Sequence, residues 1–455
     1  MANNEPAPLS YAPADTQPSL LPTMGFWTLT IYGVGDMLGA GIYALIGRAA
    51  GIMGNAVWLG FLVSMVAAML TGLSYACLGS RYPRAAGAAY ITQHAFHRPF
   101  LSYVVGLTVM ASGLTSMATA ARAFAGYSYS LIHATPAATP PAPLLWAGII
   151  LFIAGLTFIN YWGIRESAWF NVLCTAIEFG GLAFIILIGL RYWGGVNYFE
   201  TPRTGPDMPN LSAHLVFQGA VLTFFAFVGF EDLLNVAEEV KNPQRTLPWA
   251  LVTALGIVTL VYIAVSITAI SVVPHAELAA SSGPLVEVVR RAAPWFPPKA
   301  FTLVSLFAIT NSALVNYIMG SRLVYGMAGQ GLVPRVLGRV HPKRRTPHVA
   351  IFTLMIIVLV LALAGDISAL GKATAILLLG VFIVINAALV VLKLRPDEPR
   401  GQFEIPLVIP AAAIIACTAL LAHAKADELK IAIAIGAGIA ILYLAVRPQS
   451  IPEAG

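Results

Sequence analysis

A dozen mainly apolar stretches, each about as long as a bilayer crossing, constrain this chain more than any other feature. They cover approximately 24–47, 54–79, 99–131, 144–162, 167–191, 211–240, 248–273, 299–328, 348–365, 370–392, 405–423 and 429–446. One helical span needs about 20 mainly apolar residues. In lipid the backbone must bond within its own segment or within a closed barrel. These runs are too long and too evenly apolar for the alternating, roughly ten-residue strands of a barrel. The expected fold is therefore an all-α integral membrane protein with about 12 transmembrane helices. Composition agrees: 58% of the 455 residues are hydrophobic and 10% are charged. Soluble domains have about 45–50% apolar and about 25% charged residues. An ordinary soluble enzyme, a disordered chain and a disulfide-stapled module are all excluded. Cys77, Cys174 and Cys417 lie inside apolar runs and read as packing residues.

Residues 1–23 form a Pro/Ala-rich tail without Lys or Arg. They lack the basic start and apolar core of a secretory signal, so the first span is expected to be retained. Twelve spans put both termini on one side. The loops and tail on that side hold fifteen of the 26 basic residues, the opposite side holds nine, and Arg122 and Arg322 fall within spans. The positive-inside rule then makes both termini cytoplasmic, in a plasma (inner) membrane. The basic run Lys343-Arg344-Arg345 sits in a short loop and reads as a topology determinant rather than a nucleic-acid contact.

Two spans are poor helices at their centres. In the first, Gly33, Gly35, Gly39 and Gly41 fall within nine residues, and each Gly costs a helix interior about 1 kcal/mol relative to Ala. Small-xxx-small packing through Gly35 and Gly39 is one explanation. Asp36 sits inside the cluster, and an ionisable group at this depth costs roughly 2.5–3.5 kcal/mol. A break exposing backbone amides beside a carboxylate reads as a binding site. In the sixth span, Gly229 is followed by Glu231 and Asp232, and the helix is expected to end after Glu238 and Glu239 at Lys241-Asn242-Pro243. Interrupted spans five apart match two inverted repeats with a site at their interface. Free amides at a half-helix N-terminus hold an anion, and freed carbonyls hold a cation. A ligand carrying both charges close together is an α-amino acid.

Four ordered motifs resemble the amino acid–polyamine–organocation (APC) transporter superfamily, in the manner of a bacterial amino acid permease. They are Gly33 to Tyr43 in the first span, Leu78 to Gly87 after the second, Phe224 to Glu231 with Ala237-Glu238-Glu239 to Pro248 in and after the sixth, and Asn311 through Ser321–Tyr325 to Pro334 in and after the eighth. The resemblance implies a five-plus-five inverted-repeat (LeuT-like) core with broken first and sixth helices, followed by two extra helices. Its expected divisions are a first repeat at 24–191, a second at 211–395, helices 11 and 12 at 403–447 and a tail at 448–455. It also implies residue roles. Gly39, Ala40 and Gly41 would offer amides to the substrate carboxylate. The backbone of Phe225, Ala226, Phe227 and Val228 would receive the α-ammonium, with Phe225 as an aromatic gate.

The acids need separate treatment. Proton-coupled relatives carry a lysine where Glu178 stands, close to the sodium position of sodium-coupled cousins. A buried carboxyl can exchange a proton there from the other direction, because burial disfavours its charged form. Asp36 departs from the small or neutral residue usual in the family; it is expected to protonate during the cycle or to touch a cationic substrate group. Glu231 matches a family acid tied to proton-dependent transport. Glu238 and Glu239, beside Lys241 and Arg245, read as gate or helix-end ion pairs, and Arg322 as an internal anchor. His94 and His97 read as surface histidines. The chain contains no HExxH and no GxxxxGK[ST] motif, so an enzyme, a metal site, a cofactor and direct ATP drive are not expected.

The expected function is secondary active transport of neutral or cationic amino acids by alternating access, with proton symport. An obligate exchanger and a transporter-like scaffold or sensor stay open as alternatives. The partners expected are a small amino acid or amine, protons and the bilayer, with no nucleic acid.

Overall fold

The computed structural model describes residues 22–84, 87–133, 141–202, 211–281, 283–364, 367–424 and 426–446. Both tails (1–21 and 447–455) lie outside the described residues, as do Arg203 and Lys425 of the charge comparison. Among the described residues, eight helical stretches are long and apolar enough to cross a membrane, and three shorter apolar helices lie at His348–Leu363, Val408–Ala422 and Ala432–Leu444.

The first span is two helices, α1 (Phe26–Leu38) and α2 (Ala40–Met53), separated at Gly39. Spans two to five are α3 (Val57–Arg81), α5 (Pro99–His133), α6 (Ala142–Trp162) and α7 (Ile164–Gly189), with the short α4 (Gly87–Phe96) between α3 and α5. The sixth span opens as α8 (Ala213–Phe224). Spans seven and eight are α9 (Pro243–Val272) and α12 (Pro298–Gly329), joined through α10 (His275–Ala280) and α11 (Pro284–Ala292). The chain finishes with α13 (His348–Ala364), α14 (Ile367–Leu394), α15 (Val408–Ala422) and α16 (Ala426–Val446). Proline stands at the start of α9, α11 and α12, where its missing N–H costs nothing and its fixed φ favours the first turn.

The sixth span differs from its expected course. A single interruption at Gly229 would leave helix on both sides. Instead α8 stops at Phe224, and the rest is three 3₁₀ turns at Phe225–Phe227, Phe230–Leu234 and Ala237–Glu239. Gly229 has φ +126°, and a Cβ there would lie 2.9 Å from Asp36 Cγ. The backbone must swing through a conformation only glycine takes easily, against α1, and no α-helix can pass that point. Short i→i+3 bonds then carry the chain onward, including Asp232 N–H to Gly229 O (3.1 Å) and Glu239 N–H to Val236 O (2.9 Å). An aromatic cluster supports the broken segment: Phe230 meets Tyr75 of α3 at 5.7 Å and Phe382 of α14 at 5.1 Å between ring centroids. Lipid is as apolar as these rings, so close packing rather than transfer from water holds the helices together.

Pro248 lies inside α9. It cannot donate to the carbonyl one turn back, at Gln244. That freed oxygen receives the Ser80 hydroxyl at 2.8 Å, and Ser80 Oγ in turn accepts Phe403 N–H at 3.0 Å. One serine therefore ties the ends of α3 and α9 to the α14–α15 loop. The loop is clamped further by Glu404, which pairs with Arg81 through two 2.7 Å bonds, with Lys393, and with Gly401 N–H at 3.0 Å. Burial opposes ionisation of Glu404, but these donors outweigh it and push its carboxyl down to about 2. A depressed carboxyl stabilises the fold above its unfolded value and loses that effect only as pH falls towards about 2. The clamp thus persists through the neutral and mildly acid range.

His94 is not a free surface histidine. It lies on α4, stacks on Tyr90, and its Nε2 is 3.2 Å from Glu398 Oε2. Arg395 donates to the carbonyls of His94 (3.2 Å) and Ala95. It thereby supplies the end of α4 with the hydrogen bonds that a helix C-terminus lacks. Burial disfavours the charged Glu398 carboxylate. Hydrogen bonds from Tyr82, His94 and Arg395 outweigh that and hold it below its usual range.

Candidate functional site

The two breaks meet face to face. Gly39 caps α2 with φ −47° and ψ −144°, and the Ser312 hydroxyl of α12 stands against it, in the space that a Gly39 Cβ would take. The first amides of α2, from Ala40 and Gly41 onward, belong to the orphan donors of a 14-residue half-helix whose dipole is positive at this end. Opposite them runs Phe225–Phe227, with Phe225 half-buried and Ala226 and Phe227 buried. A Cβ at Gly41 would lie 2.7 Å from Ala226 Cα. Only the absence of a side chain lets the breaks approach this closely. Val228 is extended and half-buried, and its N–H donates to Phe225 O at 3.3 Å.

Tyr262, on α9, joins the two halves. Its hydroxyl contacts Met37 O at the end of α1 and Ala226 O at 2.9 Å. A phenol has one proton, so it donates to only one of these carbonyls at a time. The Ala226 carbonyl, expected as a free acceptor for an ammonium group, therefore shares the Tyr262 proton with Met37 O.

Below the breaks lie the acids. Asp36 is 5% exposed, Asp232 2%, Glu231 3% and Glu178 0%. Glu231 accepts Gly229 N–H at 3.0 Å and so braces the turn. Asp36 and Asp232 lie carboxyl to carboxyl and Glu178 faces the Asn311 amide, with no cationic partner for these groups among the described residues. Asp36 lies within electrostatic reach of Glu231, Asp232 and Glu178. Tyr43 donates to the Glu178 backbone carbonyl at 3.3 Å. The fold thus gathers Asp36, Glu231, Asp232 and Glu178 around one region, although they come from α1, the sixth span and α7.

The α1–α7–α12 junction beside Glu178 is held by amides and a hydroxyl. Asn311 donates to Gly35 O at 3.1 Å and to Thr175 Oγ1 at 2.9 Å, and accepts from Asn171 at 2.7 Å. These three residues and Tyr262 were not singled out as functional from sequence. The available signal was the rarity of asparagine at membrane depth. Tyr262 carries no such signal, because a tyrosine within an apolar run reads as packing.

On the side read as cytoplasmic the site is closed. Arg322, on α12, is fully buried, and its Nε lies 3.6 Å from Glu239 Oε1. Its Nη1 donates to Asn160 Oδ1 and Ser321 Oγ, both at 2.8 Å. The Glu239 backbone carbonyl accepts Thr23 and Met24 N–H, each at 2.9 Å, and Lys241 N–H donates back to Met24 O at 2.8 Å. The ion pair expected with Lys241 or Arg245 is therefore made with Arg322, while Lys241 and Arg245 are exposed. Sequence separation hides this pairing, since nothing local links the eighth span to the end of the sixth. Glu239→Gln leaves Arg322 as a buried cation without its counter-charge, which costs about 3–5 kcal/mol. Thermal unfolding in detergent should show that loss. The Glu239→Gln/Arg322→Met double variant should melt above the single one; equal melting would remove the pair from the gate.

Two broken helices thus face each other across their breaks inside a helical bundle. The amino acid permease family model matches residues 24–446. The chain belongs to that family, within the APC superfamily, and is a multi-pass membrane protein. The branched-chain amino acid permease BcaP of Bacillus subtilis is 28% identical over 418 residues, covering 89% of this chain and 88% of that one. Cationic amino acid transporter 4 of Mus musculus is 31% identical over 391 residues, covering 82% of this chain and 60% of the mouse protein. The crystal structure of MhsT in complex with L-phenylalanine superposes with a TM-score of 0.65 at 16% identity, covering 90% of this chain and all of that one. That likeness shows the LeuT-like fold.

Proposed function

We propose that this permease carries neutral or cationic amino acids across the plasma membrane by alternating access, in symport with protons. The observation that carries the reading is the N-terminus of α2 facing the 225–228 break, with the buried carboxyls of Asp36, Glu231, Asp232 and Glu178 close by. The amides of Gly39, Ala40 and Gly41 take the substrate carboxylate. The carbonyls around Phe225, Ala226, Phe227 and Val228 take the α-ammonium, and for that Tyr262 must release Ala226 O and donate to Met37 O instead. Phe225 closes over the bound ligand. The four-helix bundle that contains the two broken helices rocks against the remaining scaffold of the 24–191 and 211–395 repeats, both termini face the cytoplasm, and the Arg322–Glu239 pair with the Met24 backbone contacts forms the inner gate.

Glu178, Asp36 and Glu231 are the proton carriers of this reading. A charge buried without a partner costs several kcal/mol, so a carboxyl there changes protonation as water reaches or leaves it. The excess of acids favours neutral and cationic substrates over acidic ones, in keeping with relatives named for branched-chain and for cationic amino acids. The test is uptake into proteoliposomes of a panel of labelled amino acids, with and without an imposed proton gradient. Accumulation that follows the gradient supports symport. Accumulation that ignores it and requires internal amino acid makes the protein an exchanger.

A further inference from the structure

Outside the transport site, the ends of α9 and the α14–α15 loop enclose a half-open cavity of about 150 Å³, lined by Gln244, Arg245, Pro248, Trp249, Gln402 and Phe403. Its polar side carries one cation and two side-chain amides. Arg245 makes no ion pair or side-chain hydrogen bond among the described residues, and the nearest clamp acid, Glu404, already has its oxygens taken by Arg81, Lys393 and Gly401 N–H. Gln402 reaches Gln244 only at 3.5 Å, which leaves both amides able to turn towards a ligand. The other side of the cavity is an aromatic wall. Trp249 meets Phe403 edge-to-face with ring centroids 5.7 Å apart and is itself 54% exposed.

The cavity also has a defined depth. Lys241 and Arg245 come just before the apolar run of α9, and Trp249 stands at its first turns, where tryptophan marks the headgroup level. Leu394 and Val408, at the two ends of the loop, are 69% and 65% exposed, as side chains facing lipid tails would be. A guanidinium fork and two amides beside an amphipathic ring match a phosphate oxyanion attached to an apolar body.

We propose that this cavity binds the phosphate of an anionic phospholipid from the cytoplasmic leaflet, with Arg245 on the phosphate and Trp249 against the glycerol region. The lipid would bridge α9 to the α14–α15 loop, beside the contact that Ser80 already makes between them. The site uses none of the residues assigned to substrate or protons, so its failure would leave the transport reading intact.

Native mass spectrometry and thermal unfolding of the full chain test it, with phosphatidylglycerol, phosphatidylcholine and inorganic phosphate as probes. Phosphatidylglycerol should stay bound and raise the unfolding temperature where the other two do not. Arg245→Gln should weaken phosphatidylglycerol about tenfold, as expected on losing one charge-assisted contact, and Arg245→Lys, which keeps charge but loses the fork, should weaken it less. Uptake in phosphatidylcholine vesicles should be the same for Arg245→Gln and the wild type, which shows that the variant folds. Equal protection by phosphatidylcholine overturns the charge reading. Equal protection by inorganic phosphate overturns the lipid assignment in favour of a free anion. Undiminished phosphatidylglycerol binding by Arg245→Gln overturns the site.

Discussion

Uptake by Gly41→Leu is expected to fall to background, and Gly41→Ala to lose most of its substrate affinity. The reason is geometric: the added Cβ would stand 2.7 Å from Ala226 Cα and 3.1 Å from Ala226 Cβ. The nearer atom belongs to the backbone and cannot rotate away. Relief has to come from moving the first-span break off the sixth-span break, which pulls the amides and carbonyls of the site apart. Overpacking of this kind costs about 1–3 kcal/mol, or about 5- to 150-fold in affinity. Gly→Ala within a helix would otherwise gain about 1 kcal/mol of propensity. Folding is therefore spared while binding suffers. Ligand-induced thermal shift, measured beside uptake in proteoliposomes, separates the two effects. A Gly41→Ala protein with wild-type affinity would refute the close-approach account.

Glu178→Gln gives the second large effect. A one-unit proton gradient supplies about 1.4 kcal/mol, enough for up to about tenfold accumulation by a one-proton symporter. The variant should bind substrate and equilibrate it, with an accumulation ratio near one whatever the gradient. Glu178 is fully buried and its carboxyl faces the Asn311 amide, so its amide isostere keeps the side chain's size and an oxygen that can still accept from Asn311. The Tyr43 contact goes to the Glu178 backbone carbonyl and survives the substitution. Gradient-driven accumulation that persists in Glu178→Gln would move the coupling proton to Asp36 or Glu231.

Much of the architecture was legible from residue order alone. Apolar run length marks the spans because lipid permits few alternatives to a helix. The glycine cluster at 33–41 is a local signal that acts locally, and the first span does break there at Gly39; the sixth-span helix ends far before the expected stop at Lys241-Asn242-Pro243, where Pro243 instead opens α9. The candidate site was legible to the extent that its parts are backbone: the break at Gly39 and the unwound 225–228 segment are conformations that glycine and chain order announce. Side-chain partnerships across the bundle were not legible. Whether Tyr262 points at Met37 and Ala226 or at lipid depends on the rotation of α9, which an all-apolar helix does not encode in its hydrophobic pattern. The same holds for Asn311 on Gly35, for Arg322 on Glu239 and for His94 on Glu398. Each joins segments far apart in the chain, and a charge or amide in sequence names its chemistry without naming its partner. The sixth-span turns were hidden for a related reason. A glycine marks a weak point, while the extent of unwinding is decided by what packs against it, here Asp36 and the ring cluster around Phe382.

Glu239 is held at both ends of its own residue, by Arg322 at its carboxylate and by the Thr23 and Met24 amides at its carbonyl. Displacing the start of α1 strips the backbone contacts, and displacing the 237–239 turn from α12 strips the ionic one. Because a single residue anchors both, rotation of that turn loosens them together, and a half-released arrangement would leave a buried charge or a buried carbonyl stranded. On the proposed alternating-access reading, opening towards the cytoplasm would thereby be cooperative. The inner door would then pass between shut and open as a two-position switch, with little population in between.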